Sequence, residues 1–212
     1  TPAIDDNGII YKGSFELLYA FNSDGNVLWT FPTNGLVGPP AIGSDETVYI
    51  ASDKIYAINL DGTEKWSTAI EGETYYSPPA IASDGTIYIG SGQFYALDPD
   101  DGSIIWIFEG EGDGGYYTPT IGGDGTIYVG GKGESLFSID PDGTENWSFE
   151  ANEKLNSPVI GLDGTLYSTS WGSNLYAIGD TITYSETNVN FSFDLSCYHG
   201  IFEELSGGYT PY

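Results

Sequence analysis

The residues best able to do chemistry in this chain are carboxylates placed just before glycines. Asp98-Pro99-Asp100-Asp101-Gly102 and Asp140-Pro141-Asp142-Gly143 set acidic side chains at alternating positions. Calcium takes about six to eight oxygen ligands, and loops of this kind supply several. Asp98, Asp100, Asp140 and Asp142 are therefore the candidate metal ligands. The complete Asp-x-Asp-x-Asp-Gly-x5-Glu pattern is missing, and Asp in such places also closes a turn through its own side chain. The turn reading is the preferred one, with calcium as the alternative.

Other reactive residues are sparse. Cys197-Tyr198-His199 brings together the only Cys and the only His. Zinc wants about three or four such ligands, so this pair reads as an ordinary tail segment. A single Cys also rules out an intramolecular disulfide. Asn146-Trp147-Ser148 and Asn190-Phe191-Ser192 match the glycosylation acceptor pattern. The first falls on a predicted strand beside a Trp, which makes it a poor acceptor.

Two tyrosine pairs, Tyr75-Tyr76 and Tyr116-Tyr117, are the candidate binding residues. Both stand just before a Pro-led strand and among glycines. They serve either as contacts for a protein or carbohydrate, or as local packing under a loop.

The elements that position these residues come from a repeat. A Pro leads an apolar pair in Pro2-Ala3-Ile4, Pro40-Ala41-Ile42, Pro79-Ala80-Ile81, Pro119-Thr120-Ile121 and Pro158-Val159-Ile160. The steps between these prolines are 38, 39, 40 and 39 residues. A strand tyrosine follows at Tyr11, Tyr49, Tyr88, Tyr128 and Tyr167. Then comes an aromatic–small pair: Tyr19-Ala20, Tyr56-Ala57, Tyr95-Ala96, Phe137-Ser138 and Tyr176-Ala177. An Asp-Gly turn and a Trp close the first four units, the latter at Trp29, Trp66, Trp106 and Trp147. Short runs of β-branched and aromatic residues between Asp-Gly turns are strands in hairpins. Four such strands in roughly 40 residues make one propeller blade. The recurring Trp suits a contact between neighbouring blades, where a flat ring fills the seam of twisted sheets.

Tyr95-Ala96-Leu97-Asp98, Asp101-Gly102 and Trp106, with their counterparts in the other units, resemble the PQQ-like propeller repeat. That family includes quinoprotein dehydrogenases and outer-membrane assembly lipoproteins, and here Asp-Gly replaces its usual Thr-Gly. The resemblance covers about residues 1–178 and implies an all-β propeller. Its enzymes use a quinone with calcium, a catalytic Asp, an Arg and often adjacent cysteines. This chain has no Arg and no Cys pair, so no catalytic residue is carried over, PQQ is not expected, and the protein is expected not to be an enzyme.

The expected organisation is five repeats over residues 1–180, at about 1–38, 39–77, 78–117, 118–156 and 157–180. A divergent segment, 181–212, completes the last blade or closes the ring. Thr181–Tyr184 and Asn190–Phe193 are candidates for the fifth unit's outer strand. The final Gly207-Gly208-Tyr209-Thr210-Pro211 echoes the lead-in to a blade. A closed ring of five is expected, with an open arc or part of a larger propeller as the alternative. An open arc would leave a sheet edge free for self-association.

Charge narrows the partners. Five Lys, no Arg and 31 acidic residues give a formal net charge of −26. Nucleic acid and anionic membrane surfaces both need cations on the protein, so neither is an expected partner. No apolar run approaches the roughly 18 residues of a membrane helix. The chain begins at Thr1 rather than Met, which suggests a chain processed or excised from a longer one, and an extracellular or periplasmic protein. Together these points predict an acidic, secreted, non-enzymatic binding or scaffold propeller that recognises a protein or carbohydrate through its blade loops.

Overall fold

The computed structural model describes residues 1–72, 77–110, 115–131, 133–172 and 174–179. They form five antiparallel sheets in chain order. The first holds β1 (Ala3–Ile4), β2 (Ile10–Gly13), β3 (Leu17–Phe21) and β4 (Val27–Pro32). The second holds β5 (Ala41–Ile42), β6 (Val48–Ala51), β7 (Ile55–Ile58) and β8 (Glu64–Thr68). The third holds β9 (Ala80–Ile81), β10 (Ile87–Gly90), β11 (Phe94–Leu97) and β12 (Ile104–Phe108). The fourth holds β13 (Thr120–Ile121), β14 (Ile127–Gly131), β15 (Ser135–Ile139) and β16 (Glu145–Glu150). The fifth shows β17 (Val159–Ile160), β18 (Leu166–Thr169) and β19 (Leu175–Ile178). The two strands proposed for its outer edge lie outside the described residues.

The register explains the repeat. In the second blade Ala41, Tyr49, Ala57 and Trp66 face one another across four strands in a single row. Ala80, Tyr88, Ala96 and Trp106 form the same row in the third. Residues paired across a sheet share a face, and the small residue between Tyr and Trp lets the two rings meet over it. Their centroids are 5.8 Å apart for Tyr49 and Trp66 and 5.6 Å for Tyr88 and Trp106. A bulge follows directly, between Ala57 and Ile58 and between Ala96 and Leu97. Such a bulge sharpens the local twist of the outer strand.

Each Trp then reaches the next blade. The indole N–H groups of Trp29, Trp66 and Trp106 donate to the carbonyls of Leu60, Pro99 and Pro141, at 2.8–2.9 Å. The rings lie on Gly62, Gly102 and Gly143, whose φ values are 85°, 73° and 90°. Only glycine suits these places: φ is left-handed, and a Cβ would sit 2.4 Å from the Trp66 ring at Gly102. Trp147 differs. The fifth unit lacks the second Asp-Gly turn, and Trp147 remains 36% exposed.

The core is divided among the seams. Tyr11, Leu18 and Phe31 of blade one pack with Val48, Ile50 and Ile58 of blade two. Three further clusters join blades two and three, three and four, and four and five. Among the described residues no cluster joins blade five to blade one, so the expected closed ring of five is not what these residues form. They make an open arc with four seams. The physical reason is visible on blade one, where Ile4 is exposed. Lys12 stands there where blades two, three and four bury Ile50, Ile89 and Val129, and an ammonium group is costly to bury in an apolar seam.

Candidate functional site

Alternation of strand direction gives the arc two rims. One carries the turns between the first and second, and the third and fourth, strands of each blade. The other carries the hairpins between second and third strands, together with the loops that link successive blades.

The first rim holds most of the conspicuous carboxylates, and they are engaged in their own turns. Asp84, Asp124 and Asp163 each accept the backbone N–H two residues on, at 3.0–3.1 Å. Asp101 and Asp142 do the same for Ser103 and Thr144. These backbone hydrogen bonds hold the Asp101, Asp124, Asp142 and Asp163 carboxyls below their ordinary range. Asp98 accepts the N–H of Asp100 at 2.8 Å, and Asp140 accepts the Asn146 amide at 2.6 Å. Asp98, Asp140 and Asp142 thus act as the turn reading requires, while Asp100 is exposed beside them. Among the described residues no three His, Cys, Asp or Glu side chains converge.

A quinone–calcium centre needs such a convergence together with a guanidinium, and the chain contains no Arg. Of the described lysines, Lys65 pairs with Asp45 at 3.4 Å and Lys154 lies over Trp171. This donor set does not fit the cofactor.

The second rim is a fixed frame. Val37 N–H donates to Ser14 and Gly38 N–H to Ala51, which pins the first linking loop across two blades. Tyr116 and Tyr117 N–H groups bond Ser91 and Gly130 in the same manner one seam later but one. Asn34 donates to the Asp53 carboxylate from both its backbone and its side chain, and the Tyr56 hydroxyl donates there too. Burial raises the Asp53 pKa, but these hydrogen bonds outweigh it and hold the carboxyl below its usual range.

The tyrosine pairs part company. Tyr75 and Tyr76 lie outside the described residues. Tyr116 is buried among Phe94, Phe108 and Phe137, and its hydroxyl accepts the Gly110 N–H. Its ring is therefore seam packing, the second of the two roles open to it. Tyr117 is half-buried and lines a cleft of about 240 Å³. Cys197, His199 and Asn190 also lie outside the described residues.

Two aromatics that sequence reasoning passed over stand free on this rim. Phe15, at the blade-one hairpin, is 77% exposed, and Trp171, at the blade-five hairpin, is 68% exposed. Trp171 is propped: its backbone N–H donates to the Lys154 carbonyl, and the Lys154 ammonium lies 5.6 Å from its ring centre. Neighbouring Ser170 donates to Glu153. A signal existed for it, because Trp171 is the one Trp out of phase with the repeat.

A family model described as outer membrane protein assembly factor BamB matches residues 14–115 and, in an overlapping register, 90–183. The chain belongs to this BamB-like, PQQ-type propeller family. No curated protein matches the sequence. Among solved structures, BamB from Moraxella catarrhalis superposes with a TM-score of 0.70 at 16% identity, over 84% of this chain and 60% of that one. The WD40 propeller domain of Doa1 gives a TM-score of 0.65 at 16% identity, over 83% and 61%. Virginiamycin B lyase from Staphylococcus aureus gives 0.64 at 15% identity, over 84% and 68%. At these identities the likeness shows the fold. This BamB-like chain spans about 60% of the length of the Moraxella protein. Among its described residues no helix is long and apolar enough to cross a membrane.

Proposed function

We propose that this BamB-like propeller is a non-enzymatic binding and scaffold module that works outside the cytoplasm. Its hairpin rim docks a protein partner that is cationic or uncharged. The observation that carries this is the placement of Phe15 and Trp171. Both are large, exposed and held on hairpins whose backbone is already hydrogen-bonded. Pre-ordered aromatics of this kind are the usual anchors of interfaces, because little entropy is lost when they are covered. The net charge of −26 selects against polyanions. The extracytoplasmic setting follows the description of the family as an outer-membrane assembly factor. One structural neighbour is named a lyase, so the non-enzymatic reading rests on the donor set, not on the fold.

The test is partner capture from a periplasmic or secreted fraction, quantified by cross-linking and mass spectrometry. A specific partner retained by the wild type should bind at least ~30-fold more weakly to Phe15→Ala/Trp171→Ala, the loss of about 2 kcal/mol expected for an anchor. An interface unaffected by both changes, or a turnover activity that survives them, would reverse the reading. A second reading is self-assembly through the free faces of blades one and five, favoured by exposed Ile4 and Val159. A monomer at all concentrations in analytical ultracentrifugation would remove it.

A further inference from the structure

The outer edges of the blades are not alike. β4, β8, β12 and β16 each stand at the end of their sheet. An edge strand presents unpaired N–H and C=O groups, and proteins guard such edges with charged residues or Pro. β4 closes on the exposed Pro32. β8 opens with Glu64 and Lys65, and β16 carries a carboxylate at each end, Glu145 and Glu150. β12 reads Ile104-Ile105-Trp106-Ile107-Phe108, with neither a charge nor a Pro.

The register shows why the isoleucines stand outward. Trp106 pairs with Ala96 and donates to the Pro141 carbonyl, so its face belongs to the seam with blade four. Ile107 pairs with Tyr95, on the blade-two side. Ile105 falls in the bulge, with no residue of β11 opposite it. Ile104, Ile105 and Ile107 are 41%, 52% and 45% exposed. The same bulge recurs in β4, β8 and β16, so side chains, not backbone, set β12 apart. At the places of Ile105 and Ile107, β8 has Lys65 and Ser67, and β16 has Asn146 and Ser148. An exposed apolar edge without such guards is a template for an added strand, whose main chain supplies affinity and whose alternate side chains supply specificity.

Charge selects the occupant. Asp100 and Asp101 stand exposed before the strand, and Glu109 stands exposed after it. From residue 66 to residue 131 the sequence has no Lys and no Arg, so blade three and its linking loops supply no cation to balance them. A second copy laid antiparallel on β12 would turn the Glu109 of each chain toward Asp100 and Asp101 of the other, at a net charge of −26 apiece. Like charges opposed across a strand pair are destabilising. A segment with cations at both ends meets carboxylates instead. We propose that β12 is a strand-addition site for an extended segment of a protein partner, apolar at its centre and carrying Lys or Arg at its ends. The site lies on the outer edge of blade three, apart from the hairpin rim, and stands whether or not Phe15 and Trp171 dock a protein.

The experiment is fluorescence anisotropy of the full chain with a labelled peptide of alternating Val and Thr that carries paired Lys at both ends. Two further peptides are compared: the same sequence with Glu ends, and the Lys-ended peptide with alternate backbone nitrogens methylated, which removes main-chain donors. The proteins are wild type, Ile105→Thr/Ile107→Thr, and Val27→Thr/Leu28→Thr, which makes the same kind of change on the Pro-guarded edge of β4. Thr keeps the β-branched shape, and circular dichroism with thermal melts confirms that each variant is folded. The Lys-ended peptide should bind the wild type and the β4 variant equally, and the β12 variant about tenfold more weakly. Added salt should weaken it, and the Glu-ended and methylated peptides should not compete. The proposal is overturned if the Lys-ended peptide does not bind, if either control peptide binds as well, or if the β12 variant binds like the wild type. It is also overturned if sedimentation shows a wild-type dimer that Ile105→Thr/Ile107→Thr abolishes, because a second copy is then the occupant.

Discussion

Replacing Trp66 by Ala tests the central physical idea, that neighbouring blades are locked by one indole per seam. Trp66 is 7% exposed, packs against Tyr49, lies on Gly102 and donates to the Pro99 carbonyl at 2.9 Å. An aromatic side chain buries ~150–250 Å². At ~25 cal/mol per Å² that is about 4–6 kcal/mol as an upper bound, and measured Trp-to-Ala losses run about 3–5 kcal/mol. The hydrogen bond accounts for about 1 kcal/mol of this. We expect a loss of about 4 kcal/mol, a large part of the ~5–15 kcal/mol that holds a typical domain together. Trp147→Ala is the internal control. It is 36% exposed and stands where the fifth unit lacks its Asp-Gly turn, so its loss should be about 2 kcal/mol. Urea melts followed by far-ultraviolet circular dichroism measure both. Stability in stacked repeats is close to a sum of neighbour terms, so Trp66→Ala should also broaden the transition by uncoupling blades one and two from three to five. A loss below about 1 kcal/mol at Trp66, or an equal loss at Trp147, would refute the reasoning.

Glu46→Gly should stabilise the protein. Glu46 has φ 65° at the turn position where the other blades place Gly8, Gly85, Gly125 and Gly164, all with positive φ. A non-glycine residue there costs about 1–2 kcal/mol. The greater freedom of glycine in the unfolded chain and the lost Asn7–Glu46 hydrogen bond offset part of that, leaving a net gain of about 0.5–1 kcal/mol and a Tm rise of roughly 1–4 °C; an unchanged or lower Tm by calorimetry would count against it. Alkaline stability is set by buried phenols. Burial pushes Tyr49, Tyr56 and Tyr116 from 10.0 up to about 12. An unfolded chain gives up these protons near pH 10, whereas the folded one keeps them to about 12, so their stabilisation is complete below pH 10 and is lost as pH rises through 12. Ultraviolet titration should show these tyrosines ionising together with unfolding, and smooth independent ionisation near pH 10 would contradict it.

The blades were legible in the sequence because their causes are local. Asp-Gly turns, alternating β-branched and aromatic residues, and the Tyr–Ala–Trp spacing act within one unit, and five copies in phase leave one architecture that satisfies them all. Even the row of Ala, Tyr, Ala and Trp follows once the turns fix the register. The turn role of Asp98, Asp140 and Asp142 was readable for the same reason, since each bonds a near neighbour in sequence or across its own turn. What the sequence left open depends on what packs from far away. Tyr116 and Tyr117 are adjacent and of the same type, yet a seam of three phenylalanines claims the first and the second is left lining a cleft. Phe15 and Trp171 look like core residues in a list and stand exposed because, among the described residues, no loop from another blade covers their hairpins. Closure belongs to the same class. Whether blade five meets blade one is a sum of many small twists and of one Lys12 on an otherwise apolar face, and no single unit encodes that sum.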